Sequence, residues 1–205
     1  IVGCVYYLPK GHGFYFRNST SNLISGCRGF MGFKNGIMLE NTHEMNISSN
    51  IIGWNWGHNL EMFHSTWAIV SANEFIDAGG RQDPKYGVYM HGDVRACQIS
   101  NNLIFNWLDN QIMQGGIFES EECSENQITD NIINYYKDKD VESLGKNSRT
   151  GFNLGIPHAY DNPQVPEKYL PKIDPAIIDV PMTMDINMAL KNAHEMFKKM
   201  NSVKE

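Results

Sequence analysis

Asn46-Ile47-Ser48-Ser49-Asn50 and Ile69-Val70-Ser71-Ala72-Asn73 are near copies of one another, 23 residues apart. Runs of the same kind end at positions 4, 27, 50, 73, 102 and 131, with spacings of 23, 23, 23, 29 and 29 residues. A second series, led mostly by glycine, ends at positions 16, 39, 62, 90 and 118. The spacings of these two independent series lengthen together along the chain, so the sequence contains an internal structural repeat.

Each run is short, alternates apolar with polar residues, and is flanked by Gly, Asn and Ser, which is the pattern of a β-strand between turns. A unit of about 23–29 residues with two or three such strands predicts one rung of a parallel β-solenoid. One rung cannot bury its own apolar face, whereas stacked rungs share a continuous core. The predicted fold class is therefore all-β, a parallel β-helix.

The last residue of most repeats is asparagine, at Asn50, Asn73, Asn102 and Asn131. Stacked about 4.8 Å apart, these amides should form a hydrogen-bonded ladder at one corner of the solenoid. Cys4 and Cys27 fall in the same column, which predicts a buried, reduced stack. The other two cysteines, Cys97 and Cys123, occupy different columns and need not pair.

Charge and hydropathy exclude two classes of protein. The net charge is −6, from 17 Lys and Arg against 23 Asp and Glu, and no basic stripe suggests nucleic-acid binding. No stretch approaches the 18 consecutive apolar residues of a membrane-spanning helix. The chain starts at Ile1 in the middle of a rung, so we expect that further rungs precede it.

Three segments are expected. Residues 1–156 hold the rungs, 157–184 form an extended proline-rich tail, and 185–205 form a C-terminal amphipathic helix. Within the rungs, insertions gather on one side, in the loops Asp77–Tyr86 and Asn106–Gln114. Such loops often border a binding face, but they could equally cover the core or contact another subunit.

Two outward columns of the second strand series hold the candidate chemistry. One is predicted to contain Arg17, Glu40, Phe63, His91 and Glu119, and the other Tyr15, Met38, Glu61, Tyr89 and Ile117. Aromatic rings between carboxylates suit sugar rings. Charged residues on a solvated sheet face need no function, so an ordinary surface remains the alternative.

Glycoside hydrolysis needs two carboxyl groups, one protonated and one ionised. Glu61, beside Phe63 and Tyr89, is the predicted acid because desolvation should raise its pKa, and Glu40 is the base or nucleophile. His91 and Asp93 form a second candidate pair. The residues expected to bind substrate are Tyr15, Arg17, Tyr89, His64, Trp54, Trp56 and Glu119. No metal-binding spacing occurs.

The repeated units Ile47 to Ile51, Ile99 to Leu103 and Ile128 to Ile132, with the strands between them, resemble the right-handed parallel β-helix (pectin-lyase-like) superfamily over residues 1–135. Members are mostly extracellular polysaccharide hydrolases and lyases, sugar epimerases and viral tailspikes. The resemblance implies a polysaccharide or cell-surface glycan as partner, at an extracellular or virion-surface location.

The leading functional expectation is a glycoside hydrolase without a cofactor. The first alternative is a tailspike or fibre segment that binds glycans, for which a homotrimer is expected. A polysaccharide lyase, a class that often uses Ca²⁺, and an enzyme like the inulin fructotransferases are minor alternatives. A structural module without a sugar site is the remaining one.

Overall fold

The computed structural model describes residues 1–80, 83–106, 113–134 and 136–156. The strands in chain order are β1 (Val5–Tyr7), β2 (Phe14–Thr20), β3 (Leu23–Ser25), β4 (Arg28–Phe30), β5 (Ile37–His43), β6 (Asn46–Ser48), β7 (Ile51–Gly53), β8 (Leu60–Phe63), β9 (Ile69–Ser71), β10 (Glu74–Ile76), β11 (Gly79–Gly80), β12 (Asp83–Pro84), β13 (Tyr86–His91), β14 (Gln98–Ser100), β15 (Leu103–Phe105), β16 (Gly115–Glu119), β17 (Gln127–Thr129), β18 (Ile132–Asn134), β19 (Lys139–Ser143), β20 (Arg149–Gly151) and β21 (Leu154–Ile156).

These strands form three parallel sheets, and successive rungs contribute neighbouring strands to each sheet. Sheet 1 has the order β1-β4-β7-β10-β15-β18-β21, sheet 2 the order β2-β5-β8-β13-β16-β19, and sheet 3 the order β3-β6-β9-β14-β17-β20. Inside the loop Asp77–Tyr86, β11 and β12 form a small antiparallel pair. The predicted parallel β-helix is confirmed.

The core lies inside the coil and is built from the inward residue of each short strand. In sheet 3 this column is Ile24, Ile47, Val70, Ile99 and Ile128, each with 0% exposure. The stacking explains the repeated Ile-Ser and Val-Ser pairs: the aliphatic residue fills the core and the hydroxyl residue points outward.

The predicted asparagine ladder is confirmed. Asn50, Asn73, Asn102 and Asn131 are buried, and each side-chain Nδ2 donates to the Oδ1 of the next rung at 2.9 Å, ending on Asn153. The same Oδ1 atoms accept the backbone N–H of the preceding ladder residue at 3.0 Å. The ladder thus satisfies backbone groups that the corner would otherwise leave unpaired.

Two expectations need correction. Cys27 is buried in the column as expected, but Cys4 is exposed, since it lies in the first rung described. The irregular spacing after Asn131 predicts a long excursion up to Thr150, but this part of the chain contains β19 and the start of β20, which add one more rung to sheets 2 and 3.

The predicted tail (157–184) and helix (185–205) lie outside the described residues. In the part of the chain that the structure describes, no helix is long and apolar enough to cross a membrane.

Candidate functional site

The candidate site lies on the outer face of sheet 2, where strand register sets the side chains in rows. One row runs through Tyr15, Met38, Glu61 and Tyr89, and a second through Arg17, Glu40, Phe63 and His91. These rows match the predicted outward columns over four rungs. Glu61 and Glu40 therefore lie on adjacent strands and two positions apart along the strand, as expected.

Glu61 is at the centre of the polar contacts. Its Oε1 accepts a hydrogen bond from His91 Nε2 at 2.9 Å, and its Oε2 accepts one from Asn35 Nδ2 at 2.6 Å. Only 20% of the Glu61 side chain is exposed. Both carboxylate oxygens are thus held by neutral or positive donors, which is the environment of an ionised group.

The pKa of Glu61 moves in the direction opposite to the expectation. Burial of the carboxyl group acts to raise its pKa, but the hydrogen bond from His91 and the other polar interactions of the carboxylate, including the amide of Asn35, together outweigh that effect. The pKa of Glu61 is lowered. A lowered pKa disfavours the predicted role of Glu61 as a protonated general acid and suits a base or nucleophile.

His58 lies beside Glu61 and is neutral. Burial lowers the pKa of His58 to about 4, although the charge of Glu61 acts in the other direction. Its Nδ1 accepts the backbone N–H of Tyr86 at 3.1 Å, so the neutral ring carries its proton on Nε2. The ring stacks on Tyr89, with centroids 4.3 Å apart and an interplanar angle of 10°.

Aromatic rings continue along the stack in both directions from Tyr89. Phe118 stacks on Tyr89 at 5.1 Å, and His91 lies 5.0 Å from Tyr89 and 4.8 Å from Phe63. Burial and the nearby Glu61 raise the pKa of Tyr89, so its hydroxyl remains a proton donor. We call Phe63, His91, Tyr89 and Phe118 the aromatic strip.

Glu40 forms a separate cluster at the edge of the site. Its Oε1 lies 3.2 Å from Arg17 Nε, and its other oxygen accepts a hydrogen bond from the Tyr15 hydroxyl. The Arg17 side chain is 62% exposed, so it can move when a ligand binds. Tyr15 and Arg17, both predicted to bind substrate, are thus held around Glu40.

Glu119 is not on the outer face, and its predicted substrate-binding position is wrong. Met90 pairs with Glu119, whereas Tyr89 pairs with Phe118, so the last predicted row is shifted by one residue. Glu119 consequently points inward and is fully buried. It accepts hydrogen bonds from Asn126 Nδ2 at 2.7 Å, from Ser148 Oγ at 2.6 Å and from Ser143.

The remaining candidate site residues form their contacts with partners other than Glu61. Asp93 pairs with Arg95 at 2.7 Å instead of meeting His91. His64 packs its ring on Phe63 at 3.9 Å and accepts the backbone N–H of Asp93. The two candidate tryptophans lie in the turn after β7: Trp54 packs on Phe30 and donates to Asp77, and Trp56 packs on Phe33.

Sequence reasoning missed Asn35 and His58 as parts of the site. Asn35 Oδ1 accepts the backbone N–H of His58 at 2.9 Å while its Nδ2 binds Glu61, so it positions both residues. The two positions are 23 residues apart, which is one rung, so column alignment of the turns could have paired them. No sequence signal shows that this turn folds over the sheet.

Among the described residues, no group of three or more His, Cys, Asp or Glu side chains could hold a metal ion. The chemistry that these residues offer is proton transfer by Glu61, with Tyr89 and neutral His58 as donors beside it.

The chain is similar to known β-helical proteins. The mannuronan C-5 epimerase AlgE4 A-module of Azotobacter vinelandii matches in structure with a TM-score of 0.58 and 14% sequence identity, over 72% of this chain and 50% of that one. This chain thus spans about half the length of that module. None of the curated proteins matches it. The family described as right handed beta helix region matches residues 1–104, half of the chain. The chain belongs to the right-handed β-helix family.

Proposed function

We propose that this protein is a carbohydrate-active enzyme that binds a polysaccharide along the outer face of sheet 2 and uses Glu61 as its catalytic base. The observation that carries the proposal is the ionised Glu61, held by His91 and Asn35 beside the aromatic strip. A carboxylate with a lowered pKa, set among rings that can stack on sugars, is an arrangement that an ordinary solvated surface does not need.

Hydrolysis of a glycosidic bond is the proposed reaction. Glu61 would take the proton of the attacking water, and Glu40 on the adjacent strand is the second carboxyl group. For Glu40 to protonate the leaving oxygen, substrate binding must break its ion pair with the exposed Arg17. The structural likeness to a mannuronan C-5 epimerase supports a polysaccharide substrate in general.

Proton abstraction from a uronate sugar, by a lyase or an epimerase, is the second candidate reaction. The observation that favours it is the neutral His58 stacked on Tyr89 next to Glu61. A base and a protonated tyrosine on one face are the groups that removal and return of a proton require. This candidate needs no protonated carboxyl group.

The test is a glycan-array screen followed by product assays on each bound polysaccharide. New reducing ends alone indicate hydrolysis, new reducing ends with unsaturated sugars indicate a lyase, and solvent-proton exchange without cleavage indicates an epimerase. Glu61→Gln should retain binding and lose activity by at least about 100-fold. Glu44→Gln, which changes a carboxylate at the exposed turn bonded to Ser21, is the matched control.

Two results would contradict the proposal. Binding without any product from the wild-type protein would indicate a glycan-binding segment of the tailspike kind. Full activity of the Glu61→Gln variant would show that the base lies elsewhere.

A further inference from the structure

The outer face of sheet 1 differs from the other two sheet faces in carrying an apolar column interrupted by two opposite charges. Register places these residues in one row along the stack: Val5, Arg28, Ile51, Glu74, Leu103, Ile132 and Leu154. Val5 is 71% exposed, Ile132 44% and Leu154 55%. The equivalent row of sheet 3 holds four polar or charged residues among six: Leu23, Asn46, Ile69, Gln98, Gln127 and Arg149.

The two charges in this row are unpaired within the described part of the molecule. Arg28 and Glu74 are exposed and stand one strand to either side of Ile51, so their backbones are about 10 Å apart. Neither forms an ion pair with another described residue. Each charged side chain therefore lies between apolar neighbours in the row and has no ion-pair partner among the described residues.

The first five residues of the row, from Val5 to Leu103, are complementary to themselves when their order is reversed about Ile51. Reversal exchanges Arg28 with Glu74 and Val5 with Leu103, and returns Ile51 to its own place. A two-fold axis in the interface, parallel to the strands at the level of Ile51, performs this reversal when two copies meet face to face. Such an axis makes two equivalent ion pairs at once, as an isologous interface requires.

We propose that sheet 1 is the surface through which two copies of this chain form an antiparallel dimer, with Arg28 of each copy paired to Glu74 of the other. The overlapping part of the row, from Val5 to Leu103, is about 20 Å long and one sheet face wide, so it covers less area than the roughly 800 Å² per partner of a standard interface. The dimer is therefore weak and depends on concentration. This inference is independent of the proposed enzymatic activity, whose site lies on sheet 2.

Sedimentation velocity on the full chain, from about 5 to about 500 µM, tests the dimer because this range suits an interface below standard size. The wild-type protein should shift from monomer to dimer, less so at high salt. Arg28→Glu alone and Glu74→Arg alone should each remain monomeric, since like charges then meet across the axis. An equimolar mixture of the two variants should dimerise again, because every contact joins opposite charges.

Arg149→Glu is the matched control, as it reverses an exposed charge on sheet 3 and should leave the dimer unchanged. Circular dichroism checks that each variant is folded. A wild-type protein that is monomeric throughout, a trimer, or single variants that fail to associate when mixed would overturn the proposal.

Discussion

Protonation of His58 is expected to destabilise the folded protein as the pH falls below neutral. The unfolded chain binds a proton at His58 below about pH 6.5, whereas the folded chain keeps this ring neutral until its pKa of about 4. Stability should fall through that window by roughly 1–3 kcal/mol, since one pKa unit is about 1.4 kcal/mol. Thermal melts of wild type and His58→Asn at pH 8, 6 and 4 measure it.

The His58→Asn variant should lose part of this acid sensitivity, because asparagine can still accept the Tyr86 N–H but does not titrate. Glu61, with its lowered pKa, also loses a stabilising contribution on acidification, so some sensitivity should remain. An identical pH dependence in the two proteins would show that His58 does not titrate as described.

At the level of single residues, the sequence predicted positions better than roles. It placed Glu61, Glu40, Tyr89 and His91 on one face because strand alternation is a local property. It could not give the pKa of Glu61, because the donors to that carboxylate are Asn35, one rung away, and His91 on the next strand. Strand alternation and repeat spacing do not show which side chains of other rungs meet.

Among the structural elements, the asparagine ladder should make the largest contribution per side chain to the free energy of unfolding. Asn73 donates to Ile47 O and Asn102 Oδ1, and accepts from the backbone and the side chain of Asn50. Asn73→Ala leaves buried groups on both neighbouring rungs unpaired, each costing about 1–3 kcal/mol. We expect a loss of roughly 2–4 kcal/mol, measured by urea denaturation.

Asn46→Ala is the control for the ladder, because Asn46 begins β6 with its side chain exposed and should change stability by no more than about 0.5 kcal/mol. Equal losses in the free energy of unfolding for the two variants would contradict the prediction that the ladder hydrogen bonds stabilise the fold.

Strand register was predictable where a strand keeps its alternation of apolar and polar residues, even across rungs of different length, and it failed at β16. The first three rungs repeat at 23 residues, so one alignment serves both series. At β16 the run Gly115-Gly116-Ile117-Phe118-Glu119 no longer alternates apolar with polar, and the alignment slipped by one residue. A glutamate is predicted to lie on the surface unless its hydrogen-bond partners are known. The partners of Glu119 include Asn126 and Ser148, which come later in the chain.

For the molecule as a whole, a solenoid in which each rung contacts only its neighbours should lose structure locally. Glu119 tests this property because it binds Ser143 and Ser148, which lie on either side of the turn between β19 and β20. The turn packs so closely on Glu119 that a Cβ at Gly145 would lie 2.2 Å from Oε1. Removing the carboxylate therefore leaves the turn without its buried anchor.

Glu119→Ala should consequently open the β19–β20 rung while leaving the earlier rungs folded. We expect amide hydrogen exchange in β19 and β20 to become at least about tenfold faster, with β5 and β6 unchanged, because opening energies differ between cooperative units. Glu142→Ala, on β19 itself, removes only a partly exposed contact with Lys139 and should have little effect. Faster exchange in every rung would instead show that the stack unfolds as one unit, and that neighbour-limited stability does not describe this β-helix.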